Sequence, residues 1–223
     1  VLYPGTYLDD DVLTHTRDGA ELVDTQSLDL EQMVSVMIEA HVADLDVVRL
    51  TSGDPSVYSA LAEQTRRLDE AGVPWDVTPG VAAYAAAAAI VGSELTVPLV
   101  AQSVVITRAQ ARSTKMPETE SLAAFAATRA TLALHLAITR VREVMAELAA
   151  DYGTDCPVVV VYRASQPGEL VLRGTVADIA AQVEEAELKQ AAVILVGRAL
   201  HRDDVAAGES YLYSPERDRA GKR

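Results

Sequence analysis

The segment Arg49-Leu50-Thr51-Ser52-Gly53-Asp54-Pro55-Ser56-Val57-Tyr58 joins a short apolar run to a tight turn and then to a helical pattern. Glycine, aspartate and proline in this order are typical of a turn that leads from a strand into a helix. In open α/β sheets, ligands bind outside the carboxyl ends of strands, so the turn lies where a site is expected. Gly53 allows close approach of the backbone, and Asp54 can either cap the helix or accept a hydrogen bond from a ligand.

The same alternation of strand and helix continues along the chain, which predicts the α/β class. Predicted strands cover residues 47–50, 75–77, 104–107, 131–136, 158–162, 170–175 and 193–196, and predicted helices cover 56–71, 85–89, 121–128, 139–150 and 176–186. The four valines at 158–161 are typical of a strand that is covered on both faces. Pro98 marks the best domain boundary, which gives an N-terminal domain at 1–99 and a C-terminal domain at 100–223.

The composition excludes several classes of protein. With 223 residues and a net charge of −14, the chain is long enough for a core and a poor partner for nucleic acid or anionic membranes. It contains a single cysteine, Cys156, so no internal disulfide is possible, and a packing role is favoured over a catalytic thiol. No apolar run reaches the length of a membrane span, and a reducing cytoplasm suits this composition.

Familiar catalytic motifs are missing from the sequence. It has no G-x-G-x-x-G after a strand, no phosphate-binding G-x-x-x-x-G-K-[ST] and no G-x-S-x-G. Its four histidines are scattered without metal-ligand spacing, so we expect no metal site. His135 could face either a site or the core, and the pattern favours a buried structural role.

Two further segments stand at strand ends. Residues 77–84 contain small side chains that would let a flat ligand lie against the backbone, although close helix–sheet packing is the favoured explanation for this segment alone. Residues 106–115 carry Arg108, Arg112 and Lys115 within a strongly acidic protein. Guanidinium groups bind carboxylates bidentately, so this segment is either an anion-binding loop or a solvated one.

Together these segments resemble the tetrapyrrole methylase family of cobalamin biosynthesis. The resemblance extends over residues 1–219 and rests on five phrases in order: Ser52-Gly53-Asp54-Pro55-Ser56-Val57-Tyr58, Val77-Thr78-Pro79-Gly80-Val81, Glu94-Leu95-Thr96-Val97-Pro98, Gln102-Ser103-Val104-Val105-Ile106-Thr107-Arg108 and Val161-Tyr162-Arg163-Ala164-Ser165-Gln166-Pro167. The stretch 102–115 and the tail 210–219 resemble the branch that methylates precorrin-4 at C11.

The resemblance implies two α/β domains with a cleft between them that holds S-adenosylmethionine, and a homodimer in the cytoplasm that binds a precorrin tetrapyrrole. Implied cofactor contacts are Ser52, Gly53, Asp54, Val57, Tyr58, Ala82, Ala83, Leu136, Arg163, Ala164, Ala192 and Val193. Implied substrate contacts are Tyr3, Thr6, Arg108, Arg112 and Lys115. Methyl transfer needs no metal and no covalent nucleophile, and we assign no general base.

One departure from the family concerns the first residues. The family normally begins with a strand and a G-x-G-P-G-D loop, whereas this sequence opens at Val1-Leu2-Tyr3-Pro4-Gly5-Thr6, a strand end followed by a turn. We therefore expect one preceding strand–helix unit in the full-length product. Two alternatives stay open: methylation at another precorrin or cobalt-precorrin carbon, and a non-catalytic protein of the same fold that binds the cofactor or a tetrapyrrole.

Overall fold

The computed structural model describes residues 1–109, 115–201, 210–211 and 214–217, with every described side chain except that of Thr6. The chain divides into two compact units, Val1–Ala83 and Tyr84–Arg223. The domain boundary that the sequence favours between residues 99 and 100 stays a prediction.

The described residues form both helices and strands, as the α/β class requires. The helices are α1 (Asp10–Leu13), α2 (Leu30–Val42), α3 (Leu61–Glu70), α4 (Ala83–Val91), α5 (Leu122–Ala126), α6 (Val141–Tyr152) and α7 (Ile179–Glu185). The strands are β1 (Leu2–Tyr3), β2 (Val23–Asp24), β3 (Val104–Arg108), β4 (Thr131–His135), β5 (Pro157–Tyr162), β6 (Leu170–Thr175) and β7 (Ala192–Val196). Short 3₁₀ turns lie at Gly5–Tyr7, Glu118–Glu120, Ile138–Arg140 and Arg198–Leu200.

The second unit is built on a five-stranded sheet with the order β3-β4-β7-β5-β6. Strands β3 and β4 are parallel, while β7 is antiparallel to both β4 and β5. Strands β3, β4 and β5 therefore run in the same direction, and their carboxyl ends lie at one edge of the sheet. The first residue of β7, Ala192, lies at that edge as well, because it pairs with Tyr162.

Helices α5, α6 and α7 cover one face of this sheet. Their apolar side chains enclose Leu132 and Leu134 of β4 and Val158 and Val160 of β5. Val159 and Val161 point to the opposite face and are also buried, so the prediction of a strand covered on both faces is confirmed. The pattern is typical of parallel strands, but β5 is antiparallel to both of its neighbours. Cys156 is fully buried in the same cluster, which confirms its packing role.

The first unit contains a smaller parallel arrangement. Strand β1 pairs with β2 on one side, and on the other side Leu2 bridges to Arg49 through bonds to the flanking residues. The Leu2 N–H donates to the Val48 carbonyl (2.9 Å), and the Leu50 N–H donates to the Leu2 carbonyl (2.8 Å). Helix α2, which sequence analysis did not predict, covers Leu2 with apolar side chains.

Three predictions in this unit are wrong. The strand predicted at 47–50 is reduced to an isolated bridge at Arg49. The helix predicted from residue 56 begins at residue 61, because Tyr58 (φ 54°) and Ala60 (φ 56°) have left-handed backbone conformations that interrupt a helix. The strand predicted at 75–77 does not form, since among the described residues no backbone hydrogen bond pairs it with a neighbour. A cavity of about 740 Å³ separates this segment from a pairing partner. Residues 44–51 and 73–78, residues of α2 and α3, and Gly53, Pro55 and Ser59 line it.

In the second unit, strand β4 ends one residue earlier than the sequence predicts. Leu136 has φ 52°, and this left-handed residue terminates the extended conformation after His135.

In the part of the chain that the structure describes, none of the helices combines the length and apolar character needed to cross a bilayer.

The unpaired segment gives a test by amide hydrogen exchange. We expect the Leu50 amide, which is bonded to Leu2, to exchange at least about tenfold more slowly than the amides of Trp75 and Val77. NMR-detected exchange in the folded protein measures this difference, with the Val160 amide as a core reference. Equal protection at the three sites would contradict the absence of a ladder at 75–77.

Candidate functional site

Two of the segments that the sequence singles out meet in the first unit. The carboxylate of Asp54 accepts hydrogen bonds from the Ser56 N–H (2.8 Å), from the Ser56 hydroxyl and from the Gly80 N–H (2.9 Å). The first two bonds close the turn that follows Asp54, and the third ties this turn to the segment around residue 80. We call the joined segments, residues 52–58 and 80–83, the paired loops.

Glycine at position 80 is required by the closeness of this contact. A Cβ atom on Gly80 would lie 2.2 Å from the carbonyl oxygen of Gly53 and 3.4 Å from the Cα of Asp54. A side chain cannot occupy that space without moving one backbone away from the other. Gly53 itself has φ 92°, a conformation that disfavours other residues. Sequence analysis placed Gly80 in a motif but did not name it as a site residue.

The three bonds also hold the charge of Asp54. Hydrogen bonds from the Ser56 hydroxyl, the Ser56 N–H and the Gly80 N–H lower the pKa of this carboxyl below its ordinary value. The helix begins only at residue 61, so the expectation that Asp54 caps a helix at residue 56 is wrong. The Asp54 carboxylate instead caps the turn that follows it and that lies before this helix. Its contact with a cofactor stays a prediction.

The paired loops present small and exposed groups to solvent. Ser52 is exposed, Val57 is half-buried and the Tyr58 side chain is 48% exposed. Ala82 and Ala83 are half-buried where α4 begins. These residues leave backbone groups and apolar side chains of the paired loops accessible to a ligand.

The remaining predicted cofactor residues meet at the carboxyl edge of the five-stranded sheet. Leu136 follows β4, Arg163 and Ala164 follow β5, and Ala192 and Val193 begin β7. The predicted substrate residue Arg108 ends β3 at the same edge. The Arg163 N–H donates to the carbonyl of Ala191 (2.8 Å), which extends the ladder between β5 and β7 beyond its last pair. Residues that are far apart in sequence are thus brought together by the direction of the strands.

Left-handed backbone conformations recur among these residues. Tyr58 (φ 54°), Leu136 (φ 52°) and Arg163 (φ 49°) each lie in a region that residues other than glycine rarely adopt. Such conformations persist only where the surrounding structure holds them, and they are frequent at ligand sites. The Leu136 side chain is 65% exposed, although it directly follows a buried strand.

His135 lies at the same edge, and Tyr84 in the first turn of α4 contacts it. Their ring centroids are 6.4 Å apart with an interplanar angle of 78°, an edge-to-face arrangement. Burial lowers the pKa of His135 below its ordinary value, which favours the neutral imidazole. Sequence analysis favoured a buried structural role for His135, whereas the residue is only half-buried at this edge. No motif indicated the contact between Tyr84 and His135.

The predicted substrate residues are described only in part. Tyr3 ends β1 and is half-buried, and Lys115 is exposed. Arg108 is half-buried at the sheet edge and pairs in register with His135. Arg112 and the side chain of Thr6 lie outside the described residues.

The chemistry available at these groups is that of positioning. Among residues 1–109, 115–201, 210–211 and 214–217, no cluster of three His, Cys, Asp or Glu side chains could hold a metal ion. Backbone groups, small side chains, exposed apolar side chains and arginines make up both the paired loops and the sheet edge. Such groups can bind and orient organic ligands through hydrogen bonds and apolar contact.

Comparison with known proteins shows that the chain is similar to methyltransferases that act on tetrapyrroles. The model of the tetrapyrrole (corrin/porphyrin) methylases matches residues 1–180. The precorrin-4 C(11)-methyltransferase of Rhodococcus erythropolis is 49% identical over 218 residues, covering 98% of this chain and 87% of that protein.

Solved structures give the same result. The X-ray structure of a cobalt precorrin-4 methyltransferase superposes with a TM-score of 0.86 at 38% identity, covering 90% of this chain and 84% of that one. The uroporphyrin-III C-methyltransferase of Thermus thermophilus, complexed with S-adenosylhomocysteine, superposes with a TM-score of 0.72 at 25% identity, covering 89% and 85%.

The contact between the paired loops predicts a sharp response to one methyl group. Gly80→Ala should lower the free energy of unfolding by about 1–3 kcal/mol, because its Cβ overlaps the Gly53 carbonyl. Val81→Ala is the matched control: its side chain is 68% exposed, so its effect should stay within about 0.5 kcal/mol. Urea unfolding measures both variants, and equal stability of Gly80→Ala and wild type would contradict the close contact.

The Asp54 carboxylate predicts a pH-dependent stability difference. Its pKa is lower in the folded protein than in the unfolded chain, so its stabilising contribution is present above about pH 4 and is lost as the pH falls through the folded value. Asp54→Asn should therefore be less stable than wild type at neutral pH, and the two should converge in acid. A difference that stays constant across this pH range would show that the charge does not hold the loops.

Proposed function

We propose that this chain, which belongs to the tetrapyrrole methylases because the model of that family matches residues 1–180, is a methyltransferase of cobalamin biosynthesis. It transfers a methyl group from S-adenosylmethionine to C11 of precorrin-4. The product is precorrin-5, an intermediate of cobalamin biosynthesis. The observation that carries this proposal is the 49% identity to a precorrin-4 C(11)-methyltransferase over 98% of the chain.

The proposed substrate is the metal-free macrocycle. Identity is 49% to the enzyme named for precorrin-4 and 38% to the enzyme named for cobalt precorrin-4. The two names differ in the metal of the substrate, and the higher identity favours precorrin-4 without cobalt.

The residues of the two clusters fit the cofactor. We assign its binding to Ser52, Gly53, Asp54, Val57, Tyr58, Ala82 and Ala83 of the paired loops and to Leu136, Arg163, Ala164, Ala192 and Val193 of the sheet edge. Backbone N–H and C=O groups at these turns match the amino-acid and ribose hydroxyl groups, while Tyr58 and Leu136 supply apolar contact area. When bound, S-adenosylmethionine supplies an electrophilic methyl group on a sulfonium.

The contribution of the protein to the reaction is geometric. Left-handed residues at Tyr58, Leu136 and Arg163 set side chains and carbonyls at fixed angles, and the bonds of Asp54 keep the paired loops together. Rigid placement of two reactants can lower the barrier by about 7–11 kcal/mol. The pyrrole nitrogens of the macrocycle conjugate with C11 and supply its electron density, so we assign no general base to the attack.

Positive side chains are proposed to hold the acidic side chains of the macrocycle. A protein with net charge −14 repels a polyanionic substrate at long range, so a local group of cations is needed. Arg108 lies at the sheet edge, and Arg112 and Lys115 follow it in sequence. Tyr3 and Thr6 complete the proposed substrate set.

We further propose that the enzyme acts as a homodimer in the cytoplasm. The family resemblance supports the dimer, and the single cysteine, buried and reduced, suits a reducing compartment. The acidic composition argues against nucleic acid as a partner.

The test is methyl transfer from S-adenosylmethionine labelled with carbon-13 in its methyl group. The acceptor is enzymatically generated precorrin-4, and carbon NMR reads the product. We expect a new methyl signal at C11. A signal at another carbon would keep the family and reject the regiochemistry. No transfer, with S-adenosylhomocysteine still bound, would reject the proposed reaction in favour of a binding protein.

A further inference from the structure

His135 differs from the rest of its strand. Residues 131–134 of β4 are completely buried, whereas His135 is only half-buried and lies outside the apolar cluster that contains Leu132 and Leu134. It directly precedes Leu136, which we assign to the cofactor. The function proposed above gives His135 no role.

The ring of His135 has neighbours on α4 and on the adjacent strand β3. Tyr84 in the first turn of α4 contacts it edge-to-face at 6.4 Å between centroids. On the neighbouring strand, Arg108 pairs with His135 in the parallel register, so both side chains leave the sheet on the same face. Strand β7, on the other side of β4, contributes only apolar residues at 192–196.

These surroundings favour an uncharged ring. Among the described residues, Arg108 on β3 leaves the sheet on the same face as His135, and the Tyr84 ring on α4 packs against it. Burial lowers the pKa of His135, and a second cation beside Arg108 would add repulsion. Protonation therefore begins only in acid, below the ordinary histidine value near pH 6.5.

We propose that His135 is a positioning residue for the methyl donor: its uncharged ring, braced by Tyr84, holds Leu136 against the cofactor. This inference rests on the proposed function. Leu136 has an unfavourable left-handed backbone conformation, which needs support from its neighbours. The ring of the preceding residue supplies that support, because it ties the end of β4 to the first turn of α4.

The absence of charge matters because the methyl donor is a cation at sulfur. A protonated His135 beside Arg108 would repel the sulfonium of S-adenosylmethionine. The thioether of S-adenosylhomocysteine is neutral and shares every other group, so it would not feel this repulsion at sulfur. Acid should therefore weaken the binding of the donor more than the binding of the product.

Isothermal titration calorimetry of both ligands at about pH 8 and about pH 5 tests the proposal, since these values bracket the ordinary histidine pKa. In wild type, we expect acid to reduce the affinity for S-adenosylmethionine about fivefold more than that for S-adenosylhomocysteine. His135→Phe keeps an aromatic ring that cannot titrate, and it should remove the selective loss while binding both ligands at about pH 8. His135→Ala should weaken both ligands about tenfold at either pH, because Leu136 loses its support.

His15→Ala serves as the control, since His15 is exposed and lies in the first unit. It should behave as wild type. A selective acid loss that persists in His135→Phe would overturn the role of the ring's charge, and wild-type affinities in His135→Ala would overturn positioning. Failure of wild type to bind S-adenosylhomocysteine at about pH 8 would instead contradict the proposed function itself.

Discussion

The shared direction of β3, β4 and β5 is the constraint on which the candidate site of the second unit depends. Strand β7 lies between β4 and β5 and is antiparallel to both, so β4 and β5 run in the same direction. As a result, the residues after three strands and the first residues of β7 converge on one edge. The buried valines of β5 and helices α5–α7 hold the sheet from which this edge projects. Position at the edge, rather than an acid–base pair, is what the protein supplies to the reaction.

The paired loops solve a similar problem in the first unit by hydrogen bonding. Two turns that are 26 residues apart are joined by one carboxylate and by the close approach of Gly53 and Gly80. Hydrogen bonds to a charged carboxylate are strong, and the three bonds that Asp54 accepts fix how the two backbones approach each other. The same carboxylate that sequence analysis considered for a ligand or a helix cap is thus largely occupied with the structure of the loops.

The sequence predicted the class, the five strands of the sheet in the second unit and the buried nature of β5, since apolar periodicity records burial directly. It failed where conformation depends on partners. Residues 75–77 have the composition of a strand, but among the described residues no backbone hydrogen bond pairs them with a neighbour. Tyr58 and Leu136 have left-handed backbone conformations that their residue types do not predict. The capping box of Asp29 and Gln32 could have revealed α2. The contact of Tyr84 with His135 joins residues 51 positions apart, which no local pattern encodes.

The most direct test of the account is a titration of the isotope-labelled protein with S-adenosylhomocysteine, followed by amide NMR. The account predicts shifts at Gly53 and Gly80 in the paired loops and at Leu136 and Arg163 on the carboxyl edge. Amides at the opposite edge of the sheet, such as that of Gly197, should not move. Shifts confined to residues 44–50 and 73–78, or to the opposite edge, would contradict the placement of the site.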